Sequence, residues 1–259
     1  MTASRLTDAA GQLGVLLALL GLWELSARAS WVAPFLLPAL GDVLRRVAAD
    51  AASGELAVNA GVTLYRALVG CALAAAIGIP LGIVMARVSL ARWFFDPLVS
   101  IGFPMPKIAF LPIFMLWFGL YDLSKIAMVA FSCVFAIIAA TAAGTRGVDR
   151  FTLWSARALG ASEAALLWEI VLPAASPQIL TGLQIALPVA LITTIVTEML
   201  MGGAGIGGAM IQAGRFADSV GVYAGIVEIA VVGILVIKGL ETLRRRLLRW
   251  HPEVIQGQR

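Results

Sequence analysis

Acidic side chains inside apolar stretches are the first candidates for chemistry in this sequence. Asp96, Glu198 and Glu228 lie within or beside runs of apolar residues, where a carboxyl group could act as an acid or a base. Catalysis usually requires a nucleophile with a positioned base, or a metal ion. The one histidine lies in the polar C-terminal tail, and Cys71 and Cys133 are far apart in the chain. We therefore predict no catalytic residue and no metal site, and an enzyme that uses these carboxyls inside a membrane is the alternative of another class.

A polar stripe on one predicted helix is the second candidate. At about 100° per residue, Gln184 and Glu198 fall within about 40° of each other, and Thr194 and Thr197 lie beside the same line. A charged side chain costs about 2.5 to 3.5 kcal/mol at the centre of a membrane span, so it must face water or find a partner. The stripe indicates either a translocation pathway or hydrogen bonds between helices. We assign these four residues to a pathway.

A glycine-rich stretch resembles a nucleotide-binding pattern. Residues 203–208 spell G-x-G-x-x-G, but no predicted strand precedes them and no βαβ unit surrounds them. The P-loop pattern G-x-x-x-x-G-K-[ST] does not occur in the sequence. We therefore expect no nucleotide site of either kind, and any energy from ATP must arrive through a partner.

The composition places these residues in a membrane protein. Hydrophobic residues make up 61% of the 259 residues and charged residues only 13%, which excludes an ordinary soluble fold and a disordered chain. The net charge of +4 comes from basic clusters between apolar runs, which is typical of loops beside membrane spans rather than of a nucleic-acid partner. We predict an all-α polytopic membrane protein whose partner is the lipid bilayer.

Hydropathy predicts six transmembrane helices. They cover residues 11–31, 57–86, 94–119, 123–143, 176–201 and 221–240. The first resembles a cleavable signal peptide, but its apolar run is long enough to span the membrane. Between the first two, residues 34–55 predict an amphipathic helix at the bilayer surface.

The distribution of basic residues predicts the orientation. With both termini in the cytoplasm, most basic side chains fall on the cytoplasmic side, as the positive-inside rule requires. They are Arg5, Arg87, Arg92, Arg146, Arg150, Arg157, Lys238, Arg244, Arg245, Arg246, Arg249 and Arg259. The chain therefore divides into residues 1–56 with the first span and the amphipathic segment, a core over 57–248, and a cytoplasmic tail over 249–259.

Three features inside the spans carry structural expectations. Gly78 and Gly82 are spaced for close helix packing, although the proline between them could instead kink the helix. Several prolines crowd the third predicted span, where a broken helix is tolerated beside protein or a water-filled cavity. Glu24 and Arg66 both fall in the outer parts of their spans, and we expect them to form an ion pair.

The loop over residues 144–175 predicts a helical hairpin on the cytoplasmic side. Thr152 can cap a helix that ends at Gly160, and Ser162 can cap a second helix that Pro173 closes. Glu163 lies in the first turn of that second helix, where the helix dipole favours negative charge. Such an element is suited to contact with a soluble partner.

The sequence of this loop resembles a known motif. Arg157 to Ser162 reads RALGAS and Ile170 to Ala175 reads IVLPAA, which is similar to the EAA motif in permease subunits of binding-protein-dependent ABC importers. Other stretches resemble the nitrate, sulfonate and taurine branch of that family. They are residues 37–44, 63–70, 106–119 and 198–208.

The resemblance implies a type I importer permease fold in the bacterial cytoplasmic (inner) membrane. Its expected partners are a second permease copy in a homodimer, two subunits that bind ATP and Mg²⁺, and an extracytoplasmic solute-binding protein. This chain itself would need no cofactor. The residues expected to contact the ATPase are Trp154, Arg157, Ala158, Leu159, Gly160, Ala161, Ser162 and Glu163.

The resemblance also has one departure and leaves the solute open. The family's usual glutamate, six residues before the glycine, is Trp154 in this chain. We expect ATP-driven alternating access for a small anion such as a sulfonate, taurine or nitrate. A thiamine-precursor pyrimidine is the alternative solute, and a passive channel or scaffold is the alternative of another class.

Overall fold

The computed structural model describes the backbone of residues 2–250 and the side chains from Gly11 onwards. Most of the predicted tail, including His251, lies outside these residues. Within residues 2–250 the chain is helical and contains no strand. The α-helices are α1 (Thr2–Arg28), α2 (Leu40–Ser53), α3 (Glu55–Arg87), α4 (Ser89–Gly102), α5 (Leu111–Phe118), α6 (Asp122–Arg146), α7 (Arg150–Ala158), α8 (Glu163–Ala165), α9 (Leu172–Met201), α10 (Ile206–Arg215) and α11 (Ser219–Leu247). A 3₁₀ turn covers Lys107–Phe110, and a π-helical segment covers Leu166–Val171.

Four helical stretches in the described part of the chain are long and apolar enough to cross a membrane. They contain α3, α6, α9 and α11. The first predicted span falls on α1, which is 27 residues long but is not among these four. A span through α1 therefore stays a prediction.

The third predicted span is not one straight helix. α4 ends at Gly102, and the following pair of the 3₁₀ turn and α5 is bent from it by 98°. Pro104 and Pro106 account for the break, because proline lacks the N–H that an α-helix needs and disfavours helical backbone in the residue before it. The bent pair can count as a fifth span, as a broken or re-entrant element.

The core forms where α3, α6 and α9 pack together. Small side chains allow this close approach: a Cβ atom on Gly70 would lie 2.5 Å from Val129 Cγ1, and one on Gly82 would lie 2.7 Å from Thr141 Cβ. A Cβ on Gly78 would lie 3.0 Å from Ile137 Cγ2. The predicted packing role of Gly78 and Gly82 is confirmed, and α3 continues as a helix through the proline between them.

The bundle has two ends with different chain connections. α3 and α6 finish at one end, where α7, the Gly160 turn and α8 follow, and we call this the hairpin end. α9 finishes at the other end, beside the starts of α3 and α6, and we call this the opposite end. The predicted amphipathic segment forms α2, which packs on α11 and α3 with Val43 fully buried.

Candidate functional site

The first arm of the hairpin is capped by an aspartate. Asp149 has extended backbone and accepts a hydrogen bond from the Thr152 backbone N–H at 2.9 Å and one from the Thr152 hydroxyl at 3.0 Å. The predicted cap at Thr152 was wrong, because Asp149 offers a stronger acceptor three residues earlier. These two hydrogen bonds lower the pKa of Asp149 below its ordinary value.

The turn after α7 requires its glycine. Gly160 has φ +89°, a left-handed conformation that other residues adopt only with strain. The N–H of Gly160 donates to the carbonyl of Arg157 at 2.9 Å, and the N–H of Ala161 donates to that of Ala156 at 3.0 Å. This is the Schellman pattern of a helix C-terminus, and it confirms the predicted turn.

The second arm begins as predicted and is tied to the bundle. Ser162 accepts a hydrogen bond from the Ala165 N–H at 3.2 Å and so caps α8. The carboxylate of Glu163 accepts from Arg157 Nε at 2.9 Å and from Arg87 Nη2 at 2.6 Å. Since Arg87 ends α3, Glu163 connects both arms of the hairpin to a membrane-spanning helix.

The second arm does not stop at Pro173. The π-helical segment and α9 follow α8 directly, and Pro173 lies in the first turn of α9. The predicted end at this proline was wrong, because Val171 and Leu172 both have helical backbone and the helix continues through Pro173. Residues 163–201 therefore form one continuous helical rod, roughly 55 Å long.

The hairpin presents apolar side chains to its surroundings. Trp154 is 59% exposed and Leu159 is 89% exposed. Phe151 is exposed as well, and its ring meets that of Trp154 edge to face at 5.6 Å between centroids. Large exposed apolar side chains on an otherwise polar segment mark an interaction surface. Ala158 and Ser162 are also exposed, and Ala161 is half-buried.

At the opposite end, Glu198 lies in a buried charged network. Its side chain has no exposed area, and its carboxylate accepts from Arg66 Nη1 at 2.7 Å, from Thr63 Oγ1 at 2.9 Å and from the Gly207 N–H at 3.1 Å. Arg66 also donates to Asp122 at 2.6 Å. The network joins α3, α6 and α9 to the start of α10.

The expected ion pair between Glu24 and Arg66 was wrong. Glu24 instead pairs with Arg28, one turn later on α1, at 2.6 Å. α1 packs on α2 rather than on α3, so the two side chains never meet.

The predicted polar stripe does not converge on one site. Gln184 accepts from Arg244 at 2.7 Å, nearer the hairpin end, and is about 20 Å along α9 from Glu198. The hydroxyls of Thr194 and Thr197 are buried and donate to carbonyls of their own helix, each at 2.8 Å. A pathway role for these residues stays a prediction.

A comparison with known protein families shows which family this chain belongs to. Residues 78–249 match the family described as the binding-protein-dependent transport system inner membrane component. The chain belongs to this family. It is therefore an ABC importer permease rather than an enzyme, and the ATPase of such importers is a separate subunit.

Several relatives resemble this permease over most of their length. The taurine transport system permease TauC of Escherichia coli K12 is 35% identical, over 93% of this chain and 90% of the relative. The putative aliphatic sulfonates permease SsuC of Bacillus subtilis 168 is 31% identical, over 90% and 84%. The formylaminopyrimidine permease ThiX of Halalkalibacterium halodurans is 32% identical, over 92% and 94%.

A solved structure shares the fold of this permease. An inward-facing form of the MetNI methionine ABC transporter gives a TM-score of 0.58 at 16% identity, over 73% of this chain and 94% of the matched chain. This likeness supports the type I ABC permease fold. Among the residues that the structure describes in this permease, no three His, Cys, Asp or Glu side chains gather as a metal site.

Sequence reasoning missed the partners of Glu198 in this permease. Arg66 was recognised as a basic residue inside a span, yet Thr63 and Asp122 carried no signal of their own. Lys125, at the same end, is also buried, and its Nζ donates to the Gly202 carbonyl at 2.7 Å. A buried arginine needs an anion, so every acid at the same end of the bundle, Glu198 and Asp122 included, is a candidate partner.

Proposed function

We propose that this permease imports a small anion such as a sulfonate, taurine or nitrate through a pathway between two copies of the chain. An extracytoplasmic solute-binding protein delivers the solute at the opposite end, and two ATPase subunits act at the hairpin end in the cytoplasm. Both termini are then cytoplasmic. One observation carries the proposal: the exposed hairpin is continuous with α9 and reaches the buried network through it.

The hairpin surface supports contact with the ATPase. Trp154, Leu159 and Phe151 are exposed, while the caps and the Gly160 turn fix the backbone that carries them. A cleft that receives Trp154 in place of the family's usual glutamate must offer apolar contact at that point. The residues of this chain that would touch the ATPase lie on the same turn and helix end. They are Arg157, Ala158, Leu159, Gly160, Ala161 and Ser162.

The continuous rod supports a direct mechanical route. When the ATPase subunits close, they displace the hairpin, and Glu163 transmits the displacement to Arg87 on α3 as well as along its own helix. α9 then carries α3 and α6 with it, because the network around Glu198 holds the three helices together. The pathway closes towards one side of the membrane and opens towards the other, which is alternating access.

A single substitution tests this proposal. Gly160→Trp combines backbone strain at φ +89° with a bulky group in the contact surface, and a Cβ atom at this position would meet no described residue other than its chain neighbours within 4 Å. With the assembled transporter in proteoliposomes, we expect loss of uptake and of binding-protein-stimulated ATP hydrolysis. Gly239→Trp is the control for the bulky group without backbone strain, because Gly239 also has open space around it but lies within the helix α11. Uptake and stimulated ATP hydrolysis at the native level in Gly160→Trp would contradict the proposal.

A second solute class has a specific observation in its favour. ThiX, which carries formylaminopyrimidine in its name, matches 92% of this chain. Competition for uptake distinguishes the classes: taurine, ethanesulfonate and nitrate are each added against labelled taurine, and a formylaminopyrimidine is added in a parallel series. A labelled formylaminopyrimidine is also offered alone, and its uptake without any uptake of labelled taurine would assign the second class.

A further inference from the structure

Lys107 is a basic side chain near the middle of the membrane-spanning part of this permease. It lies at the break between α4 and α5, and its Nζ is 5.8 Å from the centre of the Phe135 ring on α6. Phe135 comes 13 residues after Asp122 and 11 residues before Arg146, which are the first and last residues of α6. The ring therefore lies about 20 Å from one end of that helix and about 16 Å from the other. A side chain with a four-carbon stem is too short to reach either membrane surface from this depth.

The surroundings of Lys107 are aromatic and hold its ammonium group in place. Nζ donates to the Phe103 carbonyl at 2.5 Å and lies 5.7 Å from the centre of the Phe103 ring. Gly102 admits the second ring, because a Cβ atom at Gly102 would lie 2.2 Å from Phe135 Cε1. Aromatic rings attract a cation through their faces. The break in the helix thus places the ammonium group in a site formed by the end of α4, the 3₁₀ turn and α6.

The positive charge of Lys107 has no counter-ion in the described part of this chain. No carboxylate there forms an ion pair with it, whereas Arg66 inside α3 pairs with Glu198 and Asp122. An ammonium group has three donors, and the Phe103 carbonyl accepts from one of them. Two donors and the charge are therefore left for another group.

The face of the chain around Lys107 is open. Phe103 is 50% exposed and Ile108 is 38% exposed, so the described part of the chain covers the break only in part. A charged group at the centre of a bilayer is costly against lipid, and such residues line water-filled cavities or substrate pathways. A broken helix at this depth is tolerated in the same surroundings. The unpaired charge and the break both indicate that this face borders a pathway for an anion.

We propose that Lys107 binds the anionic group of the solute midway across the membrane. The inference rests on the proposed import of an anion and adds a binding residue outside the stripe that we assigned to the pathway on α9. The ligand is an oxyanion, since the oxygen atoms of a sulfonate or a nitrate accept from an ammonium group and supply the missing charge. Lipid phosphates lie at the surfaces of the bilayer, out of reach at this depth.

Transport by variants of Lys107 tests the inference. The complete transporter is assembled in proteoliposomes with its solute-binding protein, and labelled taurine, ethanesulfonate and nitrate are each offered. The anion that the native transporter imports fastest is then used, and its uptake is measured together with ATP hydrolysis. Lys107→Met removes the charge and keeps the length of the side chain. We expect the ratio of solute imported to ATP hydrolysed to fall about ten-fold or more, because the anion loses its partner while the hairpin is unchanged.

A conservative variant and a distant variant control this experiment. Lys107→Arg keeps the charge, so its ratio of uptake to ATP hydrolysis should stay within about three-fold of the native ratio. Lys238→Met removes the same charge from an exposed position on α11 and should leave the ratio unchanged. Thermal unfolding of each variant in lipid nanodiscs shows whether it folds like the native chain.

Direct binding provides a test that needs no variant. The native permease and its ATPase subunits, in lipid nanodiscs without the binding protein, are titrated calorimetrically with ethanesulfonate and with ethyl methyl sulfone. The sulfone has similar size and two sulfur-bound oxygen atoms but no charge. We expect ethanesulfonate to bind and the sulfone not to bind, and this comparison holds even if Lys107→Met fails to assemble.

Four results would overturn the inference. They are a native ratio of uptake to ATP hydrolysis in Lys107→Met, equal losses in Lys107→Met and Lys107→Arg, equal binding of ethanesulfonate and the sulfone, and displacement of ethanesulfonate by sodium chloride at equal concentration. The second result would assign Lys107 a purely structural role, and the last would indicate a simple halide site. Anion uptake that persists in Lys107→Met rejects this inference alone. The proposed function fails separately, since Gly160→Trp measures coupling to the ATPase whatever residue binds the solute.

Discussion

Both ends of this permease contain a glutamate paired with arginine, but the pairs are exposed at the hairpin end and buried at the opposite end. At the hairpin end, Glu163 pairs with two arginines in an exposed position, where such pairs are weak and easily rearranged. At the opposite end, Glu198 pairs with Arg66 without exposure to solvent, where losing either partner leaves the other charge buried with fewer counter-ions. The hairpin end is suited to repeated contact with another protein, and the opposite end to holding three helices in one arrangement.

The largest expected effect is a loss of stability when the buried network at the opposite end is disrupted. Glu198→Ala leaves Arg66 buried with one fewer anion, so the free energy of unfolding should fall by about 3 to 5 kcal/mol. Thermal unfolding of the purified permease in detergent measures this loss. Glu241→Ala is the control on an exposed helix face. An unchanged unfolding temperature in Glu198→Ala would remove the contrast between the two ends.

The next effect concerns the loop that closes over Glu198. Gly205 has φ +115°, and a Cβ atom there would overlap the Glu198 carboxylate. We expect Gly205→Ala to lower the free energy of unfolding by about 1 to 3 kcal/mol through strain and through this overlap. Gly202→Ala separates the two causes, because Gly202 also has a positive φ but has open space around it. Equal losses in the two variants would show that the overlap contributes nothing.

A smaller effect is expected at the hairpin surface. Trp154→Ala removes an exposed aromatic side chain, so thermal unfolding should not change. Binding to the ATPase subunits should weaken about ten-fold, since aromatic anchors often cost more than 1 kcal/mol when truncated at an interface. The affinity of the ATPase subunits for surface-immobilised permease tests this expectation, with Trp168→Ala as the control. If Trp154→Ala binds the ATPase subunits as tightly as the native chain does, Trp154 is not part of the contact.

The smallest effect is expected at the cap of α7, and it should not depend on pH between 5 and 8. Because the pKa of Asp149 is lowered in the folded chain, its stabilising effect is present above the ordinary pKa of about 3.9 and is lost only as pH falls through the lower, folded value. Asp149→Ala should therefore reduce stimulated ATP hydrolysis by the same factor at every pH from 5 to 8. A ratio of variant to native activity that changes across this range would contradict the cap.

Local signals predicted the hairpin better than the bundle. Gly160 and Ser162 act within a few residues of their positions, so the sequence sufficed to place the turn and the second cap. The partner of Arg66 depends on which helices pack together, and α1 and α3 do not. Pro173 illustrates a third case, because the same residue can end one helix or begin another, and only the backbone around it decides.

The π-helical segment fixes which face of α9 points towards the core. A π turn holds one more residue than an α turn, so Leu166–Val171 sets the rotation between α8 and the part of α9 that enters the core. Removing one residue there would convert the π turn into an α turn and leave the face of α9 that packs on α3 and α6 nearly unchanged, whereas adding one residue would rotate that face by about 100°. This short stretch can therefore lose one residue more easily than it can gain one.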